Sequence, residues 1–495
     1  MKSVVVIGSG FAGLSAASFL AKEGYDVTIL EKNDQLGGRA RCWEKDGFKF
    51  DMGPSWYWMP DVFERYFSSF GKEISDLYNL VRLDPSYRVV YGPGDQEDQS
   101  PNMEELEAMF DKLDPGSGLR LRKFLKQAEY KYKVGIQDLV FKPGRSLTEF
   151  MDLRIVKGVF QLDMLKDIRK HVAEVSTHPK LKAILEFPVL FLGALPQNTP
   201  ALYSLMNYAD MSLGTWYPMG GMNKIIEGMV SVAKEQGVKF RTSTEVTGFK
   251  YANDKIISVL TKNGSFTADI VVGGADYHHI DQKISSPQYR EYTPKYWEKR
   301  KMAPSSLLFY LGVKGRVSNV LHHNLFFDYE LDQHAHEIYT DPSWPTKPLF
   351  YASAPTKTDS SIAPDGCENM FLLMPTAPGL AGDNDEVREK YYNLMMDRLE
   401  AYTGESIRER VIVKRSFAYS DFKSEYNSFK GNAYGLANTL DQTAIFKPRL
   451  KSKKVANLYF AGQLTTPGPG VPPSLISGEV VCGEIVKDYS LKKAV

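Results

Sequence analysis

The stretch VVVIGSGFAGLSAASFLAKEGYDVTILEKNDQLGGRA, residues 4–40, decides the fold. Val4 to Ile7 is apolar at every position, as a strand buried on both faces of a parallel sheet requires. Gly8, Gly10 and Gly13 then make a G-x-G-x-x-G turn, and Leu14 to Lys22 reads as a helix. The first glycine permits the tight turn, the second lets a pyrophosphate approach the backbone, and the third lets the helix lie close to the sheet. The helix N-terminus faces the anion. Val27 to Leu30 forms a second strand, and Glu31 ends it, placed to accept a hydrogen bond from a ribose 2′-hydroxyl and to repel a 2′-phosphate. Strand, turn, helix, strand and acid together read as a dinucleotide-binding unit, and Glu31 argues against NADP.

The residues after Glu31 separate a mobile nicotinamide from a fixed flavin. Leu36-Gly37-Gly38-Arg39-Ala40 comes within a few residues, where a nicotinamide-binding unit ordinarily continues into its next crossover helix. Two glycines and an arginine offer the same pyrophosphate a second set of backbone donors and a guanidinium, which suits a cofactor that never leaves. The alternative is an ordinary turn with a surface arginine. The end of the chain returns to glycine chemistry in NLYFAGQLTTPGPGVPPSLISGEVVCGEIV, residues 457–486. Leu458 to Ala461 reads as a strand running into Gly462, then a loop with Gly468 and Gly470, then a helix opened by Pro472-Pro473. Bare glycine backbone lets a flat ring lie against it. A helix N-terminus aimed at the pyrimidine edge of a flavin stabilises the negative charge of its reduced form. A purely structural turn is the alternative here.

The 495 residues suffice for two or three domains with substantial cores. The 61 basic and 60 acidic residues nearly cancel, and no basic stripe stands out, so nucleic acid is not an expected partner. Cys42, Cys367 and Cys482 have an odd count and no C-x-x-C spacing. With no carboxylate or cysteine at ligand spacing from the histidines, neither a disulfide framework nor a metal site is expected. The first strand begins at residue 4, leaving no room for a signal peptide, and no apolar run approaches the ~20 residues of a spanning helix. The expected location is cytoplasmic, peripheral to a membrane.

Along the chain, Trp56-Tyr57-Trp58-Met59 with Phe63, Tyr66, Phe67 and Phe70 crowds aromatic residues into either a packed core or a channel wall. Residues 91–118 are polar, with Leu106, Met109, Phe110 and Leu113 marking an amphipathic helix. From 119 to 213 the pattern is helical. It contains the most apolar segment, Phe187 to Leu195, read as a buried helix end or as a lip dipping into one leaflet. After Trp216-Tyr217-Pro218-Met219-Gly220-Gly221-Met222 come a helix from Ile225 to Gln236, a strand meander with a turn at Asn263-Gly264, and an apolar strand, Ile270 to Gly273. Residues 295–445 alternate strands such as Ser306 to Val313 with helices such as Glu386 to Tyr402.

The N-terminal fingerprint with LGGRA, WYPMGGM at 216–222, DIVVGGAD at 269–276, APDGC at 363–367 and AGQLTTPGPGVPPSLISG at 461–478 together resemble the bacterial carotenoid desaturases related to phytoene desaturase. The likeness covers essentially the whole chain. Its ends alone suggest only the wider amine oxidase and GDP-dissociation-inhibitor fold, while the middle segments in this order are more specific. The resemblance implies an α/β protein with a Rossmann-type FAD domain, here 1–75, 214–292 and 446–495. A mixed α+β substrate domain with a helical membrane-facing portion would take 76–213 and 293–445. It places Gly8, Gly10, Phe11, Ala12, Gly13, Glu31, Lys32, Gly38 and Arg39 on the ADP half of FAD, and Val246 beside the adenine by its backbone. Gly462, Gly470 and Val471 would lie near the flavin ring.

The implied reaction passes a hydride from a carotenoid to the flavin and loses a proton from the adjacent carbon, leaving a new conjugated double bond. Oxygen or a membrane quinone would reoxidise the flavin. Related desaturases carry an acid in a Ser-x-x-acid context, matched by Ser146-Leu147-Thr148-Glu149, so Glu149 is the candidate catalytic carboxylate. An exposed helix-capping box is the other reading of that pattern. Two departures stand out: Met219 replaces the arginine of a Pro-Arg-Gly-Gly segment, and Ala461 to Gly470, with Gln463 and an extra proline, replaces an Ala-Gly-Thr-His-Pro-Gly-Ala-Gly loop. Both lean towards the branch resembling hydroxycarotenoid 3,4-desaturases, with a phytoene desaturase or a carotenoid isomerase as alternatives. A non-catalytic lipid-binding chaperone resembling the GDP-dissociation inhibitors is the rival from another class.

Overall fold

The computed structural model describes residues 1–145, 149, 166–190 and 192–490. Five parallel strands form one sheet, in the order Leu458–Phe460, Ile270–Gly273, Ser3–Ile7, Asp26–Leu30, Lys239–Arg241. Ser3–Ile7 is central: Val4 pairs with Val27 on one side and Ile270 on the other. A central parallel strand is covered on both faces, which is why Val4 to Ile7 are all buried. The helix Phe11–Lys22 returns from this strand and lies directly under the helix Val471–Ser490. The two approach so closely that a Cβ on Gly478 would stand 2.6 Å from Ala12 O and Ala16 N, and Ser15 Oγ donates to Leu475 O at 2.7 Å. The last helix is thereby locked to the first.

A three-stranded antiparallel meander, Val246–Ala252, Lys255–Thr261 and Gly264–Thr267, hangs on this sheet. The turn expected at Asn263-Gly264 closes one residue earlier, inside the Thr261–Gly264 pair. Its other turn, Asn253-Asp254, takes positive φ at both residues, 49° and 54°, a tight-hairpin geometry that Asn and Asp tolerate.

The second large sheet has seven strands, in the order Val411–Phe417, Ser305–Val313, Glu368–Thr376, Phe350–Ser353, His323–Phe326, Tyr87–Gly92, Asp95–Gln99. Its pairs are antiparallel except His323–Phe326 with Tyr87–Gly92. Period-2 alternation divides its side chains. Leu307, Phe309, Leu311, Phe326, Leu372 and Met374 pack outward under the helix Asp385–Thr403 through Tyr391, Met395 and Leu399. Leu308, Tyr310, Leu325, Tyr351, Phe371 and Leu373 face inward and join the core that contains the first helix. Asp95–Gln99, which falls in a stretch read from sequence only as polar, is the outermost strand; its acidic residues suit an unpaired edge.

The helices Met103–Leu113, Ser117–Val134, Ile168–Ala173, Pro179–Leu190 and Leu205–Met211 complete the fold. Of the two readings of Phe187 to Leu195, the described residues favour the buried helix end. Phe187, Val189, Leu192 and Ala194 are buried, and Phe187 packs against the rings of Trp56, Trp58, Tyr87 and Phe327. Their apolar character serves that core; Phe191 lies outside the described residues. Among the described residues no helix is long and apolar enough to cross a membrane.

Candidate active site

Three glycine turns interlock at the C-terminal edge of the parallel sheet. Gly8 has φ +93°, and a Cβ there would stand 3.1 Å from Ala275 N; a Cβ on Gly274 would stand 2.9 Å from Gly13 Cα. A Cβ on Gly38, at φ +56°, would stand 3.2 Å from Gly10 Cα. The G-x-G-x-x-G, G-G-R and G-G-A-D segments therefore fit only as bare backbone, which puts their amides around one small volume. Gly10 itself has open space: a Cβ there meets nothing within 4 Å. Phe11 and Ala12 begin the helix beside it and are buried.

Glu31 lies under these turns. Its Oε2 accepts from Ser9 N at 2.9 Å and Ser9 Oγ at 2.6 Å, and Oε1 accepts from Asn33 N at 2.9 Å. Thr244 N donates to Glu31 O at 2.7 Å, which brings the backbone leading into Val246 alongside. Lys32 turns away, donating to Ser424 O. Arg39 occupies the centre of the site. Its guanidinium donates to Ser428 Oγ at 3.1 Å and Asn432 O at 3.3 Å and lies over the Tyr426 ring. With its amide turned to satisfy its neighbours, Gln463 accepts from the two Nη atoms at 3.0 and 3.2 Å. Nε is buried without a partner, and among the described residues no carboxylate ion-pairs with Arg39. Burial holds this guanidinium below its ordinary range, against the pull of Asp276 and Tyr426. Burial likewise pushes the Asp276 carboxyl up to about 6, although the Phe429 and His279 amides and the Arg39 charge oppose it.

The C-terminal loop closes over the first helix, where a Cβ on Gly462 would stand 3.7 Å from Ala12 Cβ. Gly462 N donates to Ser477 Oγ at 3.0 Å, and Gly470 leads into the helix whose first residue is Val471. Behind the loop, a Cβ on Gly468 would stand 3.0 Å from Lys447 Nζ. Lys447 is buried, donates to Asn438 Oδ1 at 2.7 Å, and burial brings its ammonium down to about 7. Two more acids fix the WYPMGG segment. Asp51 accepts from Met222 N and Asn223 N at 2.7 and 3.0 Å, and Asp359 accepts from Gly220 N at 2.5 Å. Burial pushes the Asp51 carboxyl up to about 6 against those amide bonds, with Asp359 adding to the rise.

The inward face of the seven-stranded sheet and the segment 56–59 supply an apolar, aromatic wall. Trp56 is its hub: its ring stacks on His323 with centroids 4.3 Å apart and meets Trp58, Tyr87 and Tyr351.

The family model for flavin containing amine oxidoreductases matches residues 11–486. A carotenoid 3,4-desaturase of Haloarcula japonica is 42% identical, over 99% of this chain and 99% of its own. This chain is a flavin-containing amine oxidoreductase of the carotenoid desaturase branch. A zeta-carotene-forming phytoene desaturase of Myxococcus xanthus is 31% identical, over 97% of this chain and 93% of its own. The fold is shared with an oxidoreductase from Methanosarcina mazei of known structure, at a TM-score of 0.63 and 15% identity, over 97% of this chain and 100% of that one.

The cofactor of this desaturase-branch flavoprotein is FAD, and the residues present fit it. Arg39, with its buried and unpartnered Nε, matches a pyrophosphate, the open space at Gly10 matches its approach, and Glu31 stands at the end of its strand where a ribose hydroxyl would lie. Glu149 is placed elsewhere. Its carboxylate accepts from Gly144 N at 2.9 Å and Arg145 N at 3.2 Å, in a loop that touches Thr466. The rest of its motif, Ser146-Leu147-Thr148, lies outside the described residues. Sequence reasoning gave no role to Ser9, Asp276 or Lys447 and noted Gln463 only as a departure in the C-terminal loop. Only Asp276 had a signal, closing the strand-Gly-Gly run as Glu31 closes its strand; the others depend on loops meeting from distant parts of the chain.

Proposed function

We propose that this flavoprotein desaturates a carotenoid, introducing the 3,4 double bond of an acyclic, hydroxylated end. The observation that carries this reading is the juxtaposition of the glycine cradle and Arg39 with a broad aromatic wall. Such a wall suits a long polyene, while the large polar area of a sugar or peptide would lose its water there unpaired. The similarity to the Haloarcula japonica carotenoid 3,4-desaturase supports the position of the new bond.

Gly8, Gly10, Gly13, Glu31, Gly38 and Arg39 would hold the ADP half of FAD, with Phe11, Ala12, Lys32 and Val246 beside it and Gly462, Gly470 and Val471 near the ring. FAD, when bound, accepts the hydride equivalent that the polyene loses. The protein must then take a proton from the adjacent carbon. Glu149 is the candidate from the family resemblance, and its loop meets Thr466 of the C-terminal glycine loop; the Gly144 and Arg145 amides on its carboxylate would have to give way to substrate. General-base help of this kind contributes about 100- to 10,000-fold. The aromatic wall excludes water, and delocalisation along the polyene stabilises the positive charge that hydride loss creates. Oxygen or a membrane quinone serves as electron acceptor, since Glu31 and Arg39 belong to a site that is permanently filled. A substrate insoluble in water has to come from a bilayer, so the protein works at a membrane surface and should pellet with liposomes.

Anaerobic single turnover tests the reading. Mixed with a hydroxylated acyclic carotenoid, the FAD-loaded protein should bleach while the carotenoid absorbance shifts to the red by one double bond. Failure of hydroxylated carotenoids, lycopene and phytoene alike to bleach the flavin, or equal bleaching by NADH alone, would overturn it.

A further inference from the structure

On the inward wall His323 carries a buried polar atom that has no partner among the described residues. His323 is completely buried, and its Nδ1 is 2.6 Å from Tyr351 Oη, yet its Nε2 meets no hydrogen-bonding group among the described residues. Neighbouring hydroxyls on the wall are paired: Tyr310 Oη donates to Met52 O at 2.7 Å and Tyr87 Oη to Asp210 Oδ2 at 2.8 Å. A buried, unsatisfied ring nitrogen is costly and calls for a ligand or an ordered water. His323 is also held rigidly, sandwiched in register opposite Ser353 and stacked at 8° on Trp56. Its neighbours His322, Ser353 and Ser55 line a cavity that extends to Tyr217 and Phe371.

We infer that His323 Nε2 hydrogen-bonds a hydroxyl group on the end of the polyene and so selects hydroxylated carotenoids over hydrocarbons. The inference rests on the carotenoid reading above. Burial, with His322 alongside, drives the His323 ring far below its ordinary range, so it stays neutral. A neutral imidazole has one donor and one acceptor nitrogen, and the Tyr351 hydroxyl decides which is which. A ligand hydroxyl can donate or accept, so it satisfies Nε2 in either tautomer. A carboxylate is disfavoured, because Asp51, Asp210 and Asp359 already place acids around this part of the wall. A site built to bond a hydroxyl rejects the analogue that lacks it, since its polar atom is then left bare.

The test uses the full-length, FAD-loaded protein and two acyclic carotenoids that differ only by a terminal tertiary hydroxyl. Binding is followed by quenching of tryptophan fluorescence, and turnover separately by absorbance. The wild-type protein should bind the hydroxylated carotenoid about 10- to 100-fold more tightly. His323→Phe should abolish that difference by weakening the hydroxylated ligand alone, and His323→Gln, which keeps a donor and an acceptor, should restore part of it. Equal binding of both carotenoids by the wild-type protein would overturn the inference. So would an equal loss for both in His323→Phe at unchanged flavin content, the result expected if Nε2 bonds only a structural water. If His323→Phe does not fold, the wild-type ratio and the Gln variant decide. Selective binding without turnover of either carotenoid would leave the inference standing and sink the proposed reaction.

Discussion

Alanine at Gly10 and alanine at Gly13 should separate the cofactor's requirements from the protein's own. At Gly10 the backbone has φ −70° and ψ 178°, open to any residue, and an added Cβ meets no protein atom within 4 Å. The loss of a glycine from the unfolded chain favours the variant, and alanine is a poorer helix N-cap than glycine. The two effects offset to within about 1 kcal/mol. What the methyl group fills is the space for a pyrophosphate, so FAD should bind about 10- to 150-fold more weakly for each charge-assisted hydrogen bond displaced. At Gly13 the Cβ would fall on the carbonyl of Gly8, 3.1 Å from its carbon and 3.6 Å from Val6 Cγ1. The helix must lift off the sheet, at the overpacking cost of about 1–3 kcal/mol, with or without FAD. Thermal unfolding of both variants, with and without added FAD, reads the two effects apart. FAD at 100 times its wild-type dissociation constant should raise wild-type stability by about 2.7 kcal/mol and that of Gly10→Ala, with one such bond displaced, by only about 0.3–1.4 kcal/mol. Wild-type FAD affinity in Gly10→Ala, or equal destabilisation of the two variants without FAD, would refute the assignment of these roles.

Arg39→Met should weaken FAD binding strongly while leaving the flavin-free protein at least as stable, because it removes a desolvated cation that no carboxylate pairs among the described residues; a flavin titration and a melting curve check both halves. Glu149→Gln should slow anaerobic flavin bleaching about 100- to 10,000-fold without releasing FAD, and an unchanged rate would remove Glu149 from the mechanism. Lys447 gives a pH signature. Burial brings its ammonium down to about 7 from an ordinary 10.5, so between those values the unfolded chain binds a proton that the folded chain does not. Stability should therefore rise with pH across that window, by at most about 5 kcal/mol, and Lys447→Met should flatten the rise in denaturant titrations at pH 7 and 10.

The heart of the parallel sheet was legible because one continuous stretch encodes two of its five strands, Ser3–Ile7 and Asp26–Leu30. Val4 to Arg39 carries strand, turn, helix, second strand, acid and second glycine pair in order, and each element constrains the next through local geometry. The position of Glu31 against the glycine turn could be read from spacing alone because a strand of known length delivers it there. The hairpins and the long helix Asp385–Thr403 were legible for the same reason, since their signals are periodic and local. Asp95–Gln99 escaped because an edge strand is under pressure to look polar, which is also how a loop looks. Phe187 to Leu195 left two readings open. Nine apolar residues signal burial without saying whether protein or lipid provides it, and the decision depends on Trp56, Trp58 and Tyr87, about a hundred residues or more upstream.

The same distinction explains why the cofactor side of the site could be read and the substrate side could not. A pyrophosphate demands bare backbone amides and a cation, and glycine and arginine announce themselves in sequence. A polyene demands only shape. The wall proposed for it is assembled from alternate residues of strands far apart in the chain, such as Tyr87, Leu308, Tyr351 and Phe371, each indistinguishable in sequence from an ordinary core residue. Only after strand register is known does His323 separate from its neighbours, because register puts it on the inward face opposite Ser353, beneath Trp56, with one nitrogen left unpaired. His322, one residue earlier, precedes the strand; its Nδ1 lies 2.8 Å from Thr358 Oγ1. Adjacent histidines identical in type therefore differ in surroundings: His322 lines the cavity beside Tyr217, while His323 is completely buried against Trp56.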